Sequence, residues 1–458
     1  MTMFRNLRVP LSRLCLAICA AVVAALFASS PAAALPSFAR QTGNACTACH
    51  VGGFGPRLTN YGRLFKLNGY VWGAEEQNLP PVAGMVVGSF TNTKKDQAGG
   101  AATHYGDNNN ATLDEASVFY AGRILPKLGA FIQATYDGIE RSFALDNVDI
   151  RYADQATLAG KNVVYGVSLN NNPTVQDPWN TTPAWGYPFS SSGLAPTPGT
   201  STLIDGGLEM QVAGLTAYAL WNDLLYLEGG VYGTQPRHAQ STLGIDPNGE
   251  SQIHGAAPYW RAAVQHSVGE QYVAAGVFGL DAHIYPERDK TAGTDHVTDV
   301  GVDANYQVNL NEQSTITANA VFIRESQKLG ASQSLGLAAN SSNTFQTFKA
   351  NAGYYYNNTY GLTGGYFTSW GSKDTGLFSA DPIGGSRTQK PNSTGYLVEA
   401  TYTPFGKDDS WLAPLANLRL GLQYVGYTKF NGAKLDYDGS GRNASDNNTM
   451  FLFAWLAF

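Results

Sequence analysis

The chain has 458 residues and a formal net charge of −6, and only 14% of it is charged, against about 25% in an ordinary soluble domain. With 51 Gly, 25 Tyr and 21 Phe but no matching run of core residues, it does not read as a water-soluble globule, and its negative balance argues against nucleic acid as a partner. An antiparallel outer-membrane barrel needs this mixture: an apolar outside, a polar inside, aromatic rings at the interfaces and glycine where strands curve.

The first element in chain order is an export signal. Arg5, Arg8 and Arg13 precede a nearly continuous apolar run from Leu14 to Phe27, and Ala32-Ala33-Ala34 offers the small-residue cleavage site. Cleavage after Ala34 removes Cys15 and Cys19 and takes the net charge to −9. Cys46 and Cys49 then remain as the cysteines of an exported chain, where a disulfide is one reading of such a pair.

Residues 35–79 do not alternate, and they are too few to build a core without a disulfide, a metal or a cofactor. They contain Cys46-x-x-Cys49-His50. Two thiols at this spacing can form thioethers to the two vinyl groups of one haem c, with the adjacent histidine as the first axial ligand of its iron. Zinc would need a second pair of ligands, which does not follow. A redox dithiol would need a βαβ surround, also missing. Arg63 and Lys66, in a predicted helix of this segment, are candidates for haem propionates or for acidic groups of the lumen such as Asp303.

From residue 80 onward the pattern has period two. In "VTDVGVDANYQVNL" Asp299, Asp303 and Asn305 fall on one face and Val300, Val302 and Tyr306 on the other. Sixteen such segments can be laid out, the first near Val82, the sixth near Leu208 and the last near Asp446. Short turns alternate with long polar connections, as periplasmic turns and extracellular loops require. In the closing "MFLFAWLAF", Met450, Leu452, Leu456 and Phe458 fall on the lipid face and Phe451, Phe453 and Trp455 on the inner one. The expected fold is all-β: a transmembrane antiparallel barrel of about sixteen strands over residues 80–458, with a signal peptide at 1–34 and a short helical haem plug at 35–79.

"LPSFARQTGNACTACH", followed by "YGRLFKLNGY", resembles the fused monohaem cytochrome–porins of iron-oxidising bacteria. The specific match covers roughly Pro36 to Tyr70, and Asn60 stands where many relatives have proline. The resemblance implies a cytochrome plugging a barrel, with electrons passing from extracellular Fe(II), or another reductant, to a periplasmic cytochrome or copper protein.

Strand parity narrows the second axial ligand. Met210 and Met450 are expected to meet lipid, whereas Met85 shares its face with Ser89 and Thr91 and should point inward near the plug. His283, with Asp281, is a lesser lumen-facing alternative. His/Met ligation raises a haem potential, which suits a weakly reducing donor. The other functional readings are a haem-plugged solute porin and electron export to extracellular acceptors.

Overall fold

Period-two alternation becomes strand pairing in the computed structural model, which describes residues 36–73, 80–246, 251–413 and 415–458. The expected export signal lies outside these residues, as does the end of the plug segment at 74–79. The strands are β1 (Val82–Thr93), β2 (Asn110–Leu125), β3 (Leu128–Asp137), β4 (Ser142–Leu158), β5 (Lys161–Asn170), β6 (Val212–Trp221), β7 (Leu225–Thr234), β8 (Ser251–Ile253) and β9 (Ala257–Val268). They continue with β10 (Gln271–Pro286), β11 (Asp295–Asn311), β12 (Ser314–Lys328), β13 (Ser342–Tyr356), β14 (Tyr360–Gly371), β15 (Ser393–Tyr402), β16 (Asn417–Lys429) and β17 (Thr449–Ala457). Sixteen form the wall, while the three-residue β8 pairs only with the end of β10 and was not foreseen, since it falls within an expected loop.

Neighbours in the wall are antiparallel, and β1 closes the sheet on β17, with Met85 opposite Ala457 and Thr93 opposite Thr449. Closure leaves no open edge, which is what lets a sheet stand in lipid. On β11 the carboxylates Asp299 and Asp303 are buried while Val300 and Val302 are exposed, and on β17 Met450, Leu452 and Leu456 are exposed over buried Phe451 and Phe453. An exterior of this kind faces a bilayer, and the molecule is an outer-membrane barrel.

Two expectations fail for one physical reason. The sixth strand starts at Val212 rather than Leu208, because Leu203–Gly207 winds into a turn and Met210 takes a positive φ of 59°. Leu208 and Val212 are buried in a lumenal cluster with Ile204, Tyr232 and Phe278, so Met210 is not a lipid-facing strand residue. Likewise Tyr272, Ala274, Phe278, Leu280, Ala282 and Ile284 form the inner face of β10, which turns Asp281 and His283 outward. In both places the inner wall is apolar because the connection at 171–211 folds into the barrel and packs against it. That connection, expected to project outward, is held by Arg261, which bonds Asp303 at 2.6 Å and reaches Asp177 at 3.4 Å.

Outside the wall, the connection after β14 is tied by Asp374. Its carboxylate accepts Ala339 N (2.9 Å), Asn340 N (3.0 Å) and Asn343 Nδ2 (2.9 Å). Burial pushes this acid up, but the hydrogen bonds outweigh it and hold it down to about 2. A depressed carboxylate stabilises the folded state above its unfolded value and loses that contribution as pH falls through the folded one. Protease resistance of the 372–392 loop should therefore persist from neutral pH to about pH 2, and Asp374→Ala should abolish it at every pH.

Candidate functional site

The N-terminal segment supplies one side of the site. It folds as α1 (Pro36–Thr42), α2 (Cys46–Cys49) and α3 (Asn60–Leu67). A spacing of three places both sulfurs on one side of a single helical turn. Thr59 caps α3 by accepting the Gly62 N–H at 3.2 Å, and its own N–H reaches Cys49 O at 2.9 Å. Gly62 is required by this close approach: a Cβ there would sit 2.3 Å from Cys49 O. Gly62→Ala should force the Cys46–Cys49 turn away from α3 at an overpacking cost of about 1–3 kcal/mol, seen as faster proteolysis of the segment with the wall intact.

The segment lies inside the barrel. Arg419 Nη1 donates to Phe54 O (3.0 Å), Asn417 Nδ2 to Gly53 O (2.8 Å) and Tyr218 OH to Leu67 O (2.6 Å), while Tyr70 OH donates to Asp149 (2.6 Å). The inward connection at 171–211 meets it from the other end. Lys66 Nζ donates to Val175 O and Asn180 Oδ1, each at 2.7 Å. Arg151 ties both to the wall, bonding Asp149, Lys66 O and Gln176 O.

Between the two lies a cavity of about 380 Å³, within the usual range for ligand pockets. Cys49 and His50 line it from the segment, and Met85 lines it from β1. Phe38, Phe54, Phe65, Phe119, Phe131, Trp185 and Trp455 form an aromatic part of its wall, Glu115, Asp146 and Glu209 add carboxylates, and Lys66 is its one Lys or Arg among the described residues. Cys46 is buried one turn behind, packed with Ala39 and Phe38.

Three properties of the donor set fit a haem. His50 is deep in the lumen, yet part of its ring opens onto the cavity and its buried Nδ1 has no hydrogen-bond partner. Burial, with a smaller contribution from Arg419, lowers its pKa to about 4 against a raising backbone bond to Gly55, so the ring is neutral and able to ligate. Cys46 and Cys49 form no disulfide, and burial pushes both thiols up to about 12. Finally, the Trp455 Nε1 also lacks a partner, leaving a donor on a lining that carries Glu115, Asp146 and Glu209 as well as Lys66.

Of the residues singled out in the sequence, Cys49, His50 and Met85 thus come together, and Phe451, Phe453 and Trp455 face inward. Lys66 reaches the cavity, but Arg63 turns the other way, over the Tyr272 ring at 3.6 Å and onto Leu58 O. Asp303 is taken by Arg261, and His283 is on the exterior, which removes it as an axial ligand. Sequence reading missed Trp185, which neighbours the site only because a loop folds inward, and Phe131, which reaches it from the inner face of β3.

A second chamber of about 330 Å³ adjoins the first, sharing Glu115, Asp146, Pro188, Phe189 and Trp455. Its lining adds Asp114 and Asp137, so four carboxylates and no cationic side chain face it among the described residues. It lies toward the long-loop end, where β3 turns into β4.

No family model matches the sequence, and no curated protein matches it. Among solved structures the chain is similar to the outer-membrane channel DcaP of Acinetobacter baumannii, at 12% identity over 82% of this chain and 96% of that one, with a TM-score of 0.44. An anion-selective porin from Comamonas acidovorans is 11% identical over 82% and 98%, at 0.44, and Salmonella typhi OmpF in complex with daunomycin 14% over 82% and 97%, at 0.43. The barrel itself rests on the strand pairing described above.

Proposed function

We propose that this barrel holds one covalently bound haem c in its lumen and passes single electrons from an extracellular reductant, Fe(II) foremost, to a periplasmic cytochrome or copper protein. One observation carries the reading: the histidine of Cys46-x-x-Cys49-His50 and Met85 of the wall, on elements far apart in sequence, line the same aromatic cavity. Haem bound there would supply a one-electron Fe(III)/Fe(II) couple. Cys46 and Cys49 would anchor it, His50 and Met85 would offer donors to its iron, and Lys66 with Trp455 Nε1 would offer partners for its propionates. The aromatic rings of the lining would pack against its apolar faces. The acidic chamber raises the local concentration of a cation such as Fe²⁺ at the extracellular side.

The position in the lumen matters because a bilayer core of ~30 Å insulates against electrons as well as ions. A single haem outside the barrel could not serve both faces, whereas a site between the plug and the inward loop is within the membrane's thickness. The test is anaerobic mixing of the purified protein with Fe(II), following the haem bands. Rapid reduction that is lost in His50→Ala supports the reading, and full reduction by dithionite with none by Fe(II) removes iron as the donor.

Met85→Leu separates ligand from packing. Volume is nearly conserved, so stability should change by less than about 1.5 kcal/mol. The midpoint potential should fall and the sulfur-to-iron charge-transfer band should vanish, with haem content unchanged. An unaltered potential would return Met85 to the role of a packing residue.

A second reading is a solute porin whose N-terminal segment gates it, favoured by the open acidic chamber of about 330 Å³. Liposome swelling with small sugars decides between them: fast swelling by the parent protein is the porin's signature, and a filled lumen predicts slow swelling.

A further inference from the structure

We infer that Asp281, His283 and His296 form a binding site for a borderline divalent cation, of the Zn²⁺, Co²⁺, Ni²⁺ or Fe²⁺ kind, on the outer rim of the barrel. The inference does not depend on the haem reading, because these residues lie on the opposite side of the wall from the lumen.

Sequence position and register bring them together. Asp281 and His283 are two apart on β10 and so share a face. His296 on β11 stands directly opposite His283, and Thr298 opposite Asp281. The outward residues of β10 pass from Val273, Ala275 and Val277 to Asp281 and His283, and those of β11 from Val302 and Val300 to Thr298 and His296. The polarity switch marks the edge of the lipid belt, at the end that carries the long loops. The cluster is therefore reachable from water: the side chains of His296 and Asp281 are 30% and 41% exposed.

The donor atoms are already close. The His283 and His296 rings are parallel, 4.5 Å between centroids with 6° between planes, and His296 Nε2 lies 2.8 Å from Asp281 Oδ2. One ligand atom from each residue falls within 4.8 Å of the others. Donors around a tetrahedral cation sit roughly 3.3 Å apart when bonds are about 2.0–2.1 Å, so small side-chain rotations close the site. Thr298 Oγ1 donates to Asp281 Oδ2 at 2.7 Å and orients the carboxylate, the kind of outer partner that metal ligands normally have. Two imidazoles and one carboxylate select borderline cations over Ca²⁺ and Mg²⁺, which prefer all-oxygen sites. Remaining coordination positions face solvent and would hold water.

Binding replaces the Asp281–His296 hydrogen bond with bonds to the metal and joins β10 to β11 on either side of the loop at 287–294. His254 stands beside His283 on the other flank, its N–H bonded to His283 O at 2.7 Å, but its ring is taken by Tyr285 OH.

The experiment is isothermal titration of the full-length, detergent-solubilised protein with Zn²⁺, alongside His283→Ala/His296→Ala and Asp281→Asn, with retention of the folded barrel checked by heat-shifted mobility on gels. Expected is one Zn²⁺ per chain that survives excess Ca²⁺, weakened at least 100-fold in the double histidine variant and at least 10-fold in Asp281→Asn. His104→Ala, in a distant loop, should match the parent. Equal Zn²⁺ affinity in the parent and the double variant overturns the site, as does displacement by Ca²⁺ or failure of the parent to bind.

Discussion

A Cys46→Ser/Cys49→Ser protein should reach the outer membrane as a folded barrel without haem stain on a denaturing gel, where the proposed haem predicts that the parent chain stains at its mature mass. Both sulfurs are needed for the two thioethers, so the loss should be complete rather than partial. The wall should survive because its hydrogen bonds run from strand to strand and close through β1 and β17. His50→Ala differs in kind: it should keep the haem stain and shift the visible spectrum, because it leaves both thiols in place and removes a donor to the iron. A parent protein that fails to stain would remove the haem and leave the gated barrel.

Arg261→Ala should open the lumen. Arg261 is 2% exposed, and its guanidinium lies between Asp177 of the inward connection and Asp303 of β11. Its removal leaves two buried carboxylates facing each other with no cation between them. Breaking a buried pair in this way costs about 3–5 kcal/mol, enough to detach the connection without unfolding the wall. Liposome swelling with small sugars should rise well above the parent rate, and protease should cut within 171–211. Arg261→Ala combined with Asp303→Asn should swell more slowly than the single variant, because one stranded charge is gone. Unchanged swelling in Arg261→Ala would mean that the apolar contacts of Ile204, Leu208 and Val212 hold the loop by themselves.

What the sequence made legible follows strand chemistry. Asp299 and Asp303 against Val300 and Val302, and Met450 and Leu452 against Phe451 and Phe453, were assigned to the faces they occupy, because membrane strands need one apolar side. The Cys46–His50 motif and the inward aim of Met85 were equally local. The failures, Met210 and His283, came where the inner wall is apolar too. There a strand's own alternation cannot distinguish lipid from packed loop, and the deciding neighbours, such as Ile204 beside Phe278, are distant in sequence. Arg151 and Arg261 were unreadable for the same reason: nothing near Arg261 signals that Asp177 will meet it across the lumen. The same failure turned His283 and Asp281 inward, so their meeting with His296 becomes visible only with the register of β10 and β11.

The arrangement is what the proposed cofactor in the lumen would need. The plug and the inward loop fill the channel from opposite ends, Lys66, Asn180 and Arg151 bind them together, and the aromatic cavity lies at their junction. The acidic chamber then faces the long-loop side, where a cationic reductant would arrive.

The most direct measurement is electron transfer across a sealed membrane. Proteoliposomes enclosing oxidised cytochrome c, too large to leave, are mixed anaerobically with Fe(II) outside, and both species are followed optically. The account predicts one trapped cytochrome c reduced for each external Fe(II) oxidised, at a rate abolished by His50→Ala, with co-trapped sugar retained. Trapped cytochrome c that stays oxidised while the sugar escapes would contradict it and identify the protein as a porin for solutes.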